Sequence, residues 1–469
     1  MKLYEGRLPG ETDPLMDELN RSLPVDIRLW HCDLATNQAW AEELARLGIY
    51  TDAELKAVSA ALSELAEEDP GDWDSLPGDE DVHTLVERLL TQKLGDTGAR
   101  IHTGRSRNDQ VVCDLRLYAV GRIKTLLTAL HKAISALSGQ AKAHRDTLMA
   151  GTTHLQPALP VTLGHFLLSA AFALLRDGQR LEDAKARTNW CPLGSGAMAG
   201  SGFEVDREAL AAKLGFQGVL PNSIDAVSDR DFCVEIASAC ASLAVHLSRY
   251  AEQFIFWANP SFGYIKFDDA WSTGSSMMPQ KRNPDAMELV RGKAARVIAA
   301  PQQLMTMLKG LPLTYAKDLQ EDKQVLFDAL DSAQLVVEVF AAAVASARFQ
   351  PEKLQAGLSA DMLATDLADA LARVGVPFRQ AHERVARLVG VLEMDGRGLD
   401  SLSIAEMRQN FPEFGEETPR LSFKESVARR NVMGGTAPSR ITAQLEWLEA
   451  FLTRTAGGNG AWRDQEYQK

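Results

Sequence analysis

With 469 residues the chain is too long for one hydrophobic core, and two to four domains are expected. Hydrophobic residues make up 45% and charged residues 24%, a balance that excludes wholesale disorder. The net charge of −13, from 50 basic and 63 acidic residues, speaks against a phosphate-backbone partner, so no nucleic acid is expected. The first residues lack the apolar centre of a secretory signal, and no uninterrupted apolar run reaches about 18 residues. No membrane partner is expected. The cysteines Cys32, Cys113, Cys191, Cys233 and Cys240 are odd in number and form no CxxC pair. Reduced thiols and a cytoplasmic location are therefore expected.

In chain order, residues 1–105 read as an N-terminal domain of shorter helices, broken by a Pro/Gly/Asp-rich stretch at Asp69–Asp81. Residues 106–351 read as a long-helix domain. Val120, Ile123, Leu127, Leu130, Ile134 and Leu137 recur in steps of three and four. The pattern returns from Phe232 to Trp257 and from Leu326 to Ala347. Two further segments, about Thr162–Arg187 and Ala286–Lys309, are helical with smaller residues mixed in. Such steps draw one apolar seam along a helix, as bundles require. Each segment would be roughly 38 Å long and would need partners along that length. The fold class expected is all-α, three helical domains around a central five-helix bundle that associates into a tetrameric helical core. Residues 352–469 read as a small C-terminal helical domain ending in a Gly-rich polar stretch from Gly457.

The chemistry concentrates in a few motifs. In Gly274-Ser-Ser-Met-Met-Pro-Gln-Lys-Arg-Asn-Pro-Asp285, Asn283 and Pro284 are suited to cap and start a helix. The loop before them would lie at the positive helix end, with two hydroxyls and a lysine, and would suit a carboxylate. On its own it reads equally well as a linker that starts a helix. His102-Thr-Gly-Arg-Ser-Arg-Asn-Asp-Gln-Val111 reads alone as a basic, capped helix start. Gly194-Ser-Gly-Ala-Met-Ala-Gly200 has dinucleotide-loop spacing but no strand before it, and signals only close backbone approach. His83 and Glu87 share a helix face and are taken as a surface pair, so no metal site is expected.

The Gly274 segment resembles the GSSxMPxKxN signature of the fumarase/aspartase superfamily, whose members are all-α homotetramers releasing fumarate. The His102 block, Gly151-Thr-Thr-His-Leu-Gln156, Leu313–Lys323 and the opening pattern Asn20-Arg-Ser22 narrow this to the argininosuccinate lyase family. The resemblance runs from Arg7 to about Gly435 and extends to eye-lens delta-crystallins. Thr152, Leu159, Arg282 and Ala316 stand where the family usually has Tyr, Gln, Lys and Asn.

That resemblance implies reversible elimination of argininosuccinate to L-arginine and fumarate, the last step of arginine biosynthesis, with no cofactor. It implies Ser275 and His154 as the acid–base pair, with Ser275 favoured as base although sequence alone does not assign the two roles. Lys281 would hold the carboxylate whose charge grows, with Asn283, and Glu288 would orient His154. Ser22, Asn108, Thr153, Tyr315, Gln320 and Lys323 would surround the substrate, with Arg107 and Arg230 as further carboxylate contacts. Each site would draw on three subunits of a homotetramer.

Overall fold

The computed structural model describes residues 12–72, 78–455 and 462. The Arg7 end of the family pattern, part of the Asp69–Asp81 break and most of the stretch after Gly457 lie outside these residues.

The N-terminal part contributes α1 (Trp30–Arg46), α2 (Asp52–Ala66) and α3 (Val82–Leu94). Thr51 and Glu54 form a reciprocal capping box at the start of α2, and Asp81 caps α3 through the Thr84 amide. Five long helices follow: α4 (Arg107–Ala143), α5 (Leu163–Thr188), α6 (Asp231–Ala258), α7 (Asp285–Leu308) and α8 (Asp322–Ser346). Their bounds match the periodic segments closely, because the three/four stepping marks the faces that the bundle buries. Val120, Ile123, Leu127, Leu130, Ile134 and Leu137 are all buried on α4.

Helices α4, α5, α6 and α8 pack on one another, and α7 lies along α6 and α8. Among the described residues, α6 alone is long and apolar enough to cross a membrane, but half of that apolar window is buried within the bundle. Side-chain contacts fix the directions. Arg230, just before α6, pairs with Asp322 at the start of α8, and Arg116 near the start of α4 pairs with Asp229. At the opposite end, Gln140 of α4 donates to the carbonyls of Val344 (3.0 Å) and Ala347 (3.0 Å). The chain just beyond α6 and α8 meets there in a two-residue ladder, Ile265 with Phe349 and Lys266 with Arg348. Helices α4, α6 and α8 thus start at one end of the bundle, hereafter the near end. Helices α5 and α7 start at the far end.

The chain is dominantly helical, as expected, and one local feature was not announced by the sequence: the turn from α4 to α5 is a β-hairpin, β1 (Leu148–Thr153) with β2 (Gln156–Thr162). It carries His154 at its tip. No Asn-Gly or Asp-Gly pair announces it; the two turn residues are His154 and Leu155, with φ of 54° and 62°. Two-residue hairpins demand positive φ, which Asn and Gly usually supply.

Among the described residues two hydrophobic cores form. The large one runs from Leu23 through the N-terminal helices and the bundle, and includes Ile441, Leu445, Leu448 and Phe451 of the last helix, Pro438–Thr455. The small one joins Leu363, Leu367, Leu371, Val385, Leu388 and Phe411.

Phe340 of α8 is fully buried and stacks on Phe254 of α6 with centroids 6.0 Å apart. Phe340→Ala is expected to cost about 3–5 kcal/mol of stability, since the packed helices cannot close around the void. A lower urea midpoint at unchanged slope would register that loss.

Candidate active site

At the near end, Ser22 is buried and its hydroxyl donates to Asp26 Oδ2 at 2.5 Å. Asp26 also accepts from the Val82 amide at 3.0 Å, and the Ser22 and Leu23 amides donate to the Glu80 carbonyl, so the opening loop is sewn to the start of α3. Burial pushes the Asp26 carboxyl up, with neighbouring Asp81 adding to it. Asp81 moves the other way: burial would raise it, but Arg107, His83 and the Thr84 hydrogen bonds together hold it at about 2.

Arg107 is the first residue of α4. Its guanidinium lies 3.4 Å from Asp81 Oδ1 and donates to the Thr84 hydroxyl at 3.2 Å. Asn108 follows, donating through Nδ2 to the Ala197 carbonyl at 3.3 Å. Gln320 donates to the Asn20 carbonyl at 3.1 Å, and Lys317 reaches Glu80 at 2.6 Å, which ties the 317–321 turn to the same loop.

Lys323 is almost fully buried and donates to Asp322 Oδ1 at 2.8 Å, while Arg230 binds the other oxygen. Burial would raise Asp322, but these two cations overcome it and hold the carboxyl below its usual range. Tyr315 is pushed up to about 12, by burial first and by Asp322 next, so it stays a phenol at neutral pH. The residue before it, Thr314, has φ of 72°, a costly conformation for a β-branched side chain. Ser22, Arg107, Asn108, Tyr315, Gln320 and Lys323 therefore all gather at the near end.

Beneath them lies a network that the sequence did not announce. His83 is buried, not on the surface beside Glu87 as expected, because the inner face of α3 turns it into the core. Its Nδ1 lies 2.8 Å from Asp33 Oδ1 and 3.3 Å from Asp114 Oδ2. Gln110 donates to Asp33, Thr36 to Asp114, and Arg105 to Asn37 at 2.7 Å. Burial, reinforced by Asp33, pushes Asp114 well above the carboxylate range. The ligand atoms of Asp33, His83 and Asp114 lie within 4.8 Å of one another, a spacing a metal ion would tolerate. The Arg105 charge faces the same acids, however, and the histidine Nδ1 is already spent on them. The group fits a self-contained charge network better than a cation cage.

The other predicted residues sit at the far end. Thr273 and Gly274 pair with Asn283 and Arg282, closing a small loop that holds Ser275 and Lys281. Ser275 Oγ accepts from the amides of Met277 (3.2 Å) and Met278 (3.1 Å). Two N–H donors aimed at one hydroxyl oxygen stabilise negative charge there, as conversion to an alkoxide requires. Asn283 is not the helix cap expected: it is held in the short ladder, its amide reaching Thr273 Oγ1 at 3.5 Å, and α7 begins at Asp285. Asp285 instead accepts from the Thr273 amide at 3.1 Å, which keeps the loop at the positive end of α7. Lys281 and Glu288 are exposed. Thr153 and His154 are exposed at the hairpin tip. Among the described residues no hydrogen bond or ion pair joins His154 to Ser275, Lys281 or Glu288 within the subunit. The two groups are kept apart from the near-end residues by the bundle: α4 has 37 residues, and at 1.5 Å per residue spans about 55 Å.

Comparison with known proteins adds the chain's kinship. A family model described as Lyase matches residues 6–299, and one described as Argininosuccinate lyase C-terminal matches residues 361–428. The argininosuccinate lyase of Herpetosiphon aurantiacus is 46% identical over 94% of this chain and 98% of its own length. That of Chlamydomonas reinhardtii is 44% identical over 96% of each. Among solved structures, an EDDS lyase variant with bound fumarate superposes with a TM-score of 0.81 at 26% identity, covering 96% of this chain and 92% of that one. The class II fumarase of Schistosoma mansoni shares the fold, with a TM-score of 0.72 at 16% identity over 87% of this chain and 92% of its own. With its C-terminal module matched and such identity running the length of both sequences, the chain belongs to the argininosuccinate lyase family, within the fumarase/aspartase superfamily.

Proposed function

We infer that this protein eliminates L-arginine from argininosuccinate, reversibly, with release of fumarate. The observation that carries the reading is the near-full-length similarity to curated argininosuccinate lyases. Removing the weakly acidic proton beside a carboxylate needs a base, a stabiliser for the dianionic carboxylate and a proton for the departing nitrogen. Ser275 is the base, its alkoxide favoured by the Met277 and Met278 amides and by the positive end of α7. Lys281 and Asn283 hold the carboxylate that gains charge. His154, oriented by Glu288, protonates the leaving nitrogen. Ser22, Arg107, Asn108, Thr153, Tyr315, Gln320 and Lys323 hold the substrate.

The working form is a homotetramer with shared sites. One subunit separates its near-end and far-end residues by the length of the bundle, so a complete site needs the near end of one copy against the far end of another. Partly exposed Val245, Phe256, Leu289, Ile298, Met305 and Leu335 supply apolar surface along α6, α7 and α8 for such contacts.

Adding argininosuccinate to the purified protein should produce the ultraviolet absorbance of fumarate; its absence at saturating substrate would refute the reaction. Ser275→Ala removes one exposed-loop oxygen, so folding should be unchanged while kcat falls by roughly 100-fold or more. Turnover within about threefold of wild type would place the base elsewhere, with Ser276 the first alternative.

Co-refolding of His154→Ala with Ser275→Ala subunits should restore partial activity, because some mixed sites receive both intact side chains. Mixed tetramers, verified by mass, that stay inactive at every ratio would rule out a site drawing these two groups from different chains.

A further inference from the structure

The Gly194–Gly200 segment is not a nucleotide loop, and the structure shows what it holds instead. The amides of Gly194 (2.9 Å) and Gly196 (2.8 Å) both donate to Asp109 Oδ2. Successive backbone N–H groups around one oxygen form an anion-binding nest, and here the anion is the protein's own carboxylate. The glycines are required by geometry. Gly194, Gly196 and Gly200 have φ of 87°, 60° and 88°. A Cβ on Gly196 would lie 2.7 Å from the Gly200 carbonyl oxygen.

Asp109 is fully buried, and its other oxygen accepts from the Ser106 amide at 3.1 Å as part of the capping box that starts α4. One carboxylate thus joins the loop to the helix start that presents Arg107 and Asn108. The loop returns the contact, since the Ala197 carbonyl accepts from the Asn108 amide. Further clasps hold it in place: Ser201 donates to the Gly104 carbonyl at 2.7 Å, and Ser223 to the Met198 carbonyl at 2.7 Å.

We propose that Asp109 is a positioning residue for the substrate. Its carboxylate docks the Gly194–Gly200 loop onto the start of α4, and the docked loop fixes the Asn108 amide for binding. This rests on the reading that Asn108 contacts argininosuccinate. The docking is pH-sensitive. Burial pushes Asp109 up to about 6, against the Gly196, Ser106 and Gly194 amides and the charge of Arg105. Arg207 and the Cys191 thiol face the same pocket. Above about pH 6 the carboxylate is ionised and grips both amides. As pH falls through that value it takes up a proton, accepts more weakly and loosens the loop.

The test uses the full-length protein as wild type, Asp109→Asn, Asn108→Ala and the double variant, assayed by fumarate release between pH 5 and 8. Asp109→Asn is expected to raise KM roughly five- to twentyfold with kcat little changed. The double variant should be no worse than Asn108→Ala alone, since both act through one amide. Wild-type KM should climb as pH drops through about 6, and the climb should be missing in Asp109→Asn. An unchanged KM, additive losses or a retained climb would overturn the proposal. If Asp109→Asn fails to fold, Gly196→Ala takes its place, with the same non-additivity expected and additivity overturning it. Hydrogen exchange gives a readout independent of turnover: the Gly194 and Gly196 amides should exchange faster in Asp109→Asn, and unchanged protection would sink the idea. Wild type without fumarate release would refute the reaction itself, and the exchange comparison would still decide the role of Asp109.

Discussion

The span of α4 governs much of what this protein does. Thirty-seven residues of unbroken helix carry the chain from Arg107 and Asn108 at the near end to the hairpin holding His154 at the far end. Helices α6 and α8 run the same way beside it, and α7 runs back, so the Ser275 loop also opens at the far end. A bundle of rigid helices offers no hinge by which one copy could fold its two ends together. Under the proposed mechanism, the apolar seams that make the helices long are thus also what leaves a solitary subunit without a complete site.

At the near end the controlling problem is electrostatic. A chain with a net charge of −13 must concentrate cations if the near end is to hold the carboxylates of the proposed substrate. It does so by burial with partners. Asp322 holds Arg230 and Lys323 together, one carboxylate between two cations, leaving that cluster with a positive excess. Removing one partner of such a buried pair typically costs about 3–5 kcal/mol because the other charge is left buried and unpaired, so the three groups must stay together. Below it, His83 and Arg105 are set among Asp33, Asp109 and Asp114, in the floor under Arg107 and Asn108.

The long helices were legible because their periodicity reports which faces are buried, and burial is what positions them. The family pattern grouped Ser22, Asn108, Thr153, Tyr315, Gln320 and Lys323 around the substrate; the fold gathers all of these at the near end except Thr153, which sits with His154 at the far-end hairpin tip. The hairpin was not legible, because a two-residue turn made of His154 and Leu155 carries none of the usual turn chemistry. His83 was misread for a different reason. Its spacing to Glu87 is that of neighbours on one helix face, but nothing local to α3 tells which partners, here Asp33 of α1 and Asp114 of α4, will enclose it. The Gly194–Gly200 loop was read as a place of close backbone approach, yet the partner that its amides hold, Asp109, lies 85 residues away from Gly194 and only the fold brings it near.

Strain follows the same division of labour. Among the described residues, the non-glycine positions with positive φ are His154, Leu155 and Thr314. Each such residue costs of order 1–3 kcal/mol, which selection for stability alone would remove. One of them is the acid of the proposed mechanism, one is its turn partner, and the third immediately precedes Tyr315. The antiparallel ladder from Leu148–Thr162 to Thr153–Gln156 holds the first two in place, and the Leu319–Ala316 backbone bond and the Gln320–Asn20 contact brace the segment after the third. Rigid surroundings impose at these points conformations that the residues would not choose, and the exposed histidine is thereby held out from the bundle end, as the proposed shared site requires.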